Sequence, residues 1–159
     1  MTLWLVRAGR HGEREVFNLQ NKVVSIGWED VGDLSNIHNK ETLKTLLDET
    51  YPTRSKNSIQ VWVRQLWNFA TDIQIGDLVA MPSKQQAVIY IAEVIGPYRF
   101  EPTPPIDNRH VRKVNWLREF PLNKISNDLL YSLSAPPTIN PVLVPDAKEP
   151  VRTMLEGKE

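Results

Sequence analysis

The chain has 159 residues, no cysteine, and 19 Lys and Arg against 19 Asp and Glu, giving a formal net charge of zero. Zero cysteines exclude a disulfide framework, a thiolate zinc site and a cysteine nucleophile, and make a reducing, cytoplasmic setting the expectation. With no apolar run of about 18 residues and no basic-then-hydrophobic leader, the sequence reads as a soluble domain plus an appendage. It is neither a membrane span nor a polyanion binder with a strongly basic surface.

Residues 3–7 and 22–27 are short runs rich in Leu, Val and Ile between glycine-bearing turns, and are expected as strands. Residues 8–14 between them read as a polar turn containing Gly9 and Gly12, and Ile26-Gly27-Trp28 leads from the second run into the acidic stretch Glu29-Asp30-Val31-Gly32-Asp33. Asn39 is the expected cap of a short helix with Leu43, Leu46 and Leu47 on one face, stopping before Tyr51-Pro52. The clearest helix covers residues 59–73, where Ile59, Trp62, Val63, Leu66, Trp67, Ala70 and Ile73 keep helical spacing behind a Ser58 cap.

Gly76-Asp77 then turns the chain into a strand over residues 78–81. A longer apolar run over 87–95 suits a strand buried on both faces, and Lys84-Gln85-Gln86 joins the two as a hairpin. Residues 96–109 carry Pro97, Pro102, Pro104 and Pro105, which cannot donate to a sheet ladder, so an irregular loop is expected. Val111, Val114 and Trp116 mark a last strand, and residues 125–133 a helix. Pro136, Pro137, Pro141, Pro145 and Pro150 read as a linker, with a short helix from Val151.

Charge is unevenly spread. Residues 1–28 hold four basic side chains against two acids and residues 96–118 five against two, while 29–95 sum to −3 and 119–159 to −2. A folded sheet would bring the two basic segments together, although excesses of this size are also ordinary on a solvated surface. Catalytic patterns fail one by one. Asp77 opens a strand, but Glu93 is followed by Ile95 where a metal-dependent nuclease places lysine; His11, His38 and His110 lack metal-ligand spacing; there is no nucleophile elbow and no phosphate loop. No catalytic residue, metal or cofactor is expected, and the chain reads as a binding protein rather than an enzyme.

Several features together resemble the EVE branch of the PUA superfamily, relatives of the YTH readers of methylated adenine. They are the opening Trp4-Leu5-Val6, the polar loop, the segment bearing Trp28, the helix before Gly76-Asp77, the hairpin ending Ala92-Glu93-Val94-Ile95-Gly96 with Tyr98 after it, and the late Arg112-Lys113-Val114-Asn115-Trp116. The sequence is most similar to N-terminal domains of prokaryotic modification-dependent (type IV) restriction endonucleases. The resemblance covers residues 2–117 and implies an α+β fold, a twisted mixed β-barrel of five to six strands flanked by helices. It implies that residues 1–120 form a modified-base reader, 121–135 a helix packed on it, and 136–159 a Pro-rich tether to a nuclease outside this chain.

The implied function is to bind double-stranded DNA and flip a modified base into an aromatic pocket. Methylated, hydroxymethylated or glucosylated cytosine and methylated adenine all fit. Lost pairing and stacking cost a few kcal/mol, offset by about 1–3 kcal/mol for stacking on one aromatic ring and by hydrogen bonds to the base edge. A reader of modified RNA and, less well supported, a small metal-dependent nuclease remain alternatives. Trp28 carries the claim, because an acidic, turn-rich context accounts poorly for a core tryptophan. The resemblance adds Trp62, Ser25, Ile26 and Ser83 to the pocket by position. Trp4, Trp67 and Trp116 read as packing residues. Arg7, Arg10, His11, Arg14 and Lys84 on one side, and Arg99, Arg109, His110, Arg112 and Lys113 on the other, are the candidates for contact with the nucleic-acid backbone, each equally accounted for by a solvated loop.

Overall fold

A computed structural model describes residues 2–103, 108–134 and 137–142. The elements in chain order are β1 (Leu3–Val6), α1 (Glu15–Asn21), β2 (Val23–Ile26), α2 (Lys40–Thr50), α3 (Lys56–Trp67), β3 (Leu78–Pro82), β4 (Val88–Phe100), β5 (His110–Pro121), α4 (Asn127–Leu133) and β6 (Ile139–Pro141). The fold is α+β: one six-stranded mixed sheet in the order β2-β5-β4-β3-β1-β6, flanked by four helices. β1 runs parallel to β3, with Leu3 opposite Leu78, and the other neighbours are antiparallel. The strand order has two ends, β2 and β6, so the sheet is not closed into a ring.

Period-two alternation divides the sheet into two packed faces. Trp4, Val6, Val24, Ile26, Val79, Ala92, Val94 and Val114 point to the side covered by α2 and α3, where they meet Leu43, Leu47, Ile59, Val63 and Leu66. Leu3, Leu5, Leu78, Ala80, Ile89, Ile91 and Phe120 point to the other side and pack on Leu129 and Leu133 of α4. Asp77, just before β3, ties the crossover to β1: it accepts from the Thr2 and Gln74 amides at 2.9 Å each and from the Trp4 indole at 3.0 Å. Burial opposes its ionisation, but these donors outweigh it and hold the carboxyl below its usual range.

Four local expectations change. Helix α1 falls between the expected turn and the second strand, where the sequence pattern assigns no element; its inward residues are the polar Glu15 and Asn18 while Val16 is exposed, the reverse of an amphipathic pattern. Helix α3 is capped by Ser55, whose hydroxyl accepts the Ser58 amide, and it ends in a π-helical turn over Asn68–Asp72 in which the Ile73 amide reaches back to the Asn68 carbonyl. β4 continues through Gly96 and Pro97 to Phe100, because Pro97 sits in a register shift between Val94 and Tyr98 where no ladder donor is required. The expected linker begins later than residue 136: Ile139–Pro141 pair with β1 as an edge strand, with Ile139 and Val142 buried. The tether over 143–159 and its short helix lie outside the described residues.

Candidate functional site

Trp28 leaves β2 with φ of 60°, the left-handed region that a bulky L-residue adopts at a cost of about 1–2 kcal/mol. It is held there by the Val31 amide, which donates to its carbonyl at 3.0 Å, and by His110, fully buried at the start of β5 opposite Ile26. Nε2 of His110 lies 3.2 Å from the Trp28 carbonyl and 2.9 Å from that of Val31. Carbonyls only accept, so Nε2 carries the proton and Nδ1 is the acceptor. The Tyr98 hydroxyl sits 2.7 Å from Nδ1 and itself accepts the Leu34 amide at 3.1 Å, which completes a chain from Leu34 through Tyr98 and His110 to the Trp28 turn.

The ionisation of both groups fits this network. Burial lowers the His110 pKa, opposed by the two carbonyls and by Asp33 and Glu29, so the ring stays neutral. Burial likewise raises Tyr98, keeping its proton available to donate. The sequence offers no signal that singles out this pair, because both are separated from Trp28 by about seventy or more residues and meet it only through the β2–β5–β4 pairing.

Around the half-buried Trp28 ring the structure assembles an aromatic group from two helices. Trp62 of α3 meets Trp28 edge-on with centroids 6.3 Å apart, and Tyr51, just past α2, meets Trp62 edge-on at 5.2 Å. The Arg54 guanidinium lies over the Trp62 ring at 5.4 Å. Burial, then Asp30 and Glu29, raise the Tyr51 pKa, which places those two carboxylates beside the group. Tyr51 and Arg54 were not among the expected site residues; in the sequence Tyr51-Pro52 reads only as a helix stop.

The other expected pocket residues are placed differently. Ser25 and Ile26 are fully buried, and the Ser25 hydroxyl lies 2.6 Å from Asn18 Oδ1 and 3.3 Å from Asn108 Oδ1, so both serve the interior rather than a ligand surface. Ser83 is held by the Glu15 carboxylate at 2.9 Å, and the Lys84 amide also donates to Glu15, which latches the hairpin to the start of α1. A side chain at Gly12 would strike Lys84, so this latch needs glycine there. Trp67, expected in the core, packs against it while also lining a cleft of about 450 Å³ with Leu34, Ile37, His38, Pro97 and Tyr98.

Four of the ten expected backbone contacts, Arg7, Arg14, His110 and Arg112, work inside the fold, and Arg99 makes an exposed ion pair. Arg112, 3% exposed, donates to the carbonyls of Gly96, Phe69 and Ile73 at 3.0, 2.9 and 2.7 Å, pinning the end of α3 to the bend in β4. His110 holds the Trp28 turn, so these two are corrected from phosphate contacts to internal anchors. Arg7 donates to the Leu133 carbonyl, Arg99 pairs with Glu101, and Arg14 is buried with a guanidinium nitrogen against Gly27. Arg10, His11, Lys84 and Lys113 are exposed, and Arg109 is half-buried with no acceptor for Nε among the described residues.

The arrangement presents ring faces and edges beside fixed hydrogen-bonding groups. Among the described residues no three His, Asp or Glu side chains are grouped to hold a metal ion, and no helix is long and apolar enough to cross a membrane. The molecule is thus an α+β domain with an aromatic group set at one end of an open mixed sheet. Residues 4–133 match the family described as a domain of unknown function (DUF8426), and the chain belongs to that family. No curated protein matches the chain.

Proposed function

We propose that this domain reads a modified base in double-stranded DNA, taking the flipped base against Trp28, and that it serves as the specificity module of a modification-dependent restriction endonuclease whose nuclease lies in another domain. The observation that carries the reading is Trp28 itself: a half-buried indole at φ of 60°, fixed through its carbonyl by a buried neutral histidine. Strained backbone held by a dedicated network is a feature of ligand sites, where geometry is set before the ligand arrives. The sequence resemblance to EVE-type readers supports the same assignment.

The ring supplies stacking, and the edge-on Trp62 and Tyr51 give it rigid walls. A single methyl group adds only about 0.8 kcal/mol of burial, so discrimination rests on shape as much as on hydrophobic gain. The test is a binding panel of otherwise identical duplexes, each with one modified cytosine or adenine, repeated on single-stranded RNA. Trp28→Ala is expected to erase the preference for the modified duplex; retention of that preference would remove Trp28 from the pocket. Tighter binding of RNA than of any duplex would replace DNA by RNA as the ligand.

A further inference from the structure

The −3 total over residues 29–95 conceals a stretch of opposite sign. Residues 51–71 carry Arg54, Lys56 and Arg64 and not one acid. Folding places Lys56, Asn57, Gln60, Val61 and Arg64 together on the exposed side of α3, at helical positions that share one stripe. Asn57, Gln60, Val61 and Arg64 border a shallow hollow of about 280 Å³. Among the described residues no carboxylate lies within ion-pair distance of Arg54, Lys56 or Arg64, whereas Lys44 pairs with Asp48 and Arg99 with Glu101. The stripe also adjoins the aromatic group, since Trp62 lies between Val61 and Val63 on the same helix and Arg54 covers its ring.

We infer that this face of α3, from Arg54 to Arg64, receives the sugar-phosphate backbone of the nucleic acid beside the Trp28 pocket. The inference rests on the base-reading function proposed above and moves its electrostatic surface away from the β1–α1 and β4–β5 segments. The chemistry of the stripe fits that occupant: three cations with no internal partner ion, interleaved with the amides of Asn57 and Gln60, which donate to phosphate oxygens without charge. Eight residues of helix separate Lys56 from Arg64, about 12 Å of rise, the axial reach of three to four phosphates along one strand. The carboxylates Glu29 and Asp30 act on Tyr51 with Arg54 opposing them, so Arg54 stands at the base end of the surface and Lys56 and Arg64 farther along the helix. Lys56 and Arg64 have only the uncharged Asn57 and Gln60 between them on the stripe.

The test is the salt dependence of binding to a 20-base-pair duplex with and without the modified base. It compares the full chain with the triple variant Arg54→Gln, Lys56→Gln, Arg64→Gln and with Lys124→Gln, an exposed lysine beside the α4 face, as control. Because each phosphate contact adds about 0.9 to the slope of log K against log salt, the triple variant is expected to lower that slope by about 2–3. It should weaken both duplexes about tenfold or more at low salt. Lys124→Gln should match the parent, and thermal melting should show all three chains folded.

An unchanged slope in the folded triple variant, with preference for the modified duplex intact, would overturn the α3 surface while leaving the base-reading function standing. A weakened triple variant of a chain with no preference for modification would support the surface and remove the pocket. A parent that binds poly-glutamate but no duplex would overturn both, assigning the stripe to an acidic protein segment.

Discussion

The two packed clusters of the sheet are built from different materials. The cluster beneath α4 is hydrocarbon, Leu3, Leu5, Leu78, Ile89, Ile91, Phe120, Leu129 and Leu133 among them, and the buried polar Glu15, Asn18 and Ser25 on that face gather under α1 instead. Beneath α2 and α3 an apolar core of similar character is interrupted by His110, Arg112, Gln65 and Asn68, and Gln65 accepts the Ile139 amide while Arg112 and His110 bond carbonyls of loops and helix ends. Hydrocarbon packing is nondirectional and tolerates any close-fitting arrangement, whereas a buried polar group is stable only with named partners at set positions. One face therefore supplies stability, and the other supplies a particular shape around Trp28.

The largest effect expected from breaking this contrast is on the apolar face. Leu5→Ala empties a fully buried site and should cost about 2–5 kcal/mol in urea or thermal unfolding, yet leave the preference for modified DNA intact while the chain is folded. His110→Phe should cost less, about 1–3 kcal/mol for the Val31 carbonyl and the Tyr98 hydroxyl left without their histidine partner, the Trp28 carbonyl keeping the Val31 amide. It should nonetheless collapse the preference, because the turn that holds Trp28 is released. Equal loss of preference in both variants would abolish the distinction between the faces.

Acid separates two anchors on the α2–α3 side. His110 is held neutral with its pKa lowered from 6.5, so the unfolded chain binds the proton first; stability is full above about 6.5, falls as pH drops below it, and levels off beneath the folded value. Asp77 runs in a separate window: its pKa is lowered from 3.8, so its contribution is present above 3.8 and lost as pH falls through the folded value. Unfolding measured from pH 7.5 to about 2 should thus show two descents, one beginning below 6.5 and one below 3.8. The upper descent should vanish in His110→Phe and persist in Asp77→Asn. The smallest effect is expected at Lys22, the exposed residue with φ of 55° that caps α1; Lys22→Gly should gain up to about 1 kcal/mol with no change in binding.

The parts of the fold carried by periodicity are legible in the chain. The short apolar run Leu3–Val6, the i, i+3, i+4 pattern from Ile59, and the long apolar run feeding β4 each specify one element, because a local pattern has one way of burying its hydrocarbon. Helix α1 escapes this reading because its inward residues are Glu15 and Asn18, whose partners Ser83 and Ser25 lie in other elements. β6 escapes it because an edge strand needs only one row of hydrogen bonds, and Pro141 is harmless there.

The candidate site divides the same way. The sequence by itself marks Trp28 as out of place in a core, since an acidic, turn-rich segment follows it. It does not distinguish a cation that faces solvent from one that holds the fold together: Arg112 and His110 read like Lys113 beside them, and only the β2–β5 pairing turns alternate residues of that strand inward. The aromatic companions Tyr51, Trp62 and Arg54 belong to α3 and the turn before it, and the acid-free stripe of α3 is hidden in any average over the acidic middle of the chain. Composition and periodicity are local quantities, and they determined the elements and the odd tryptophan. Which side chains meet around it is a property of distances between residues far apart in the chain, and the tertiary structure alone decided that.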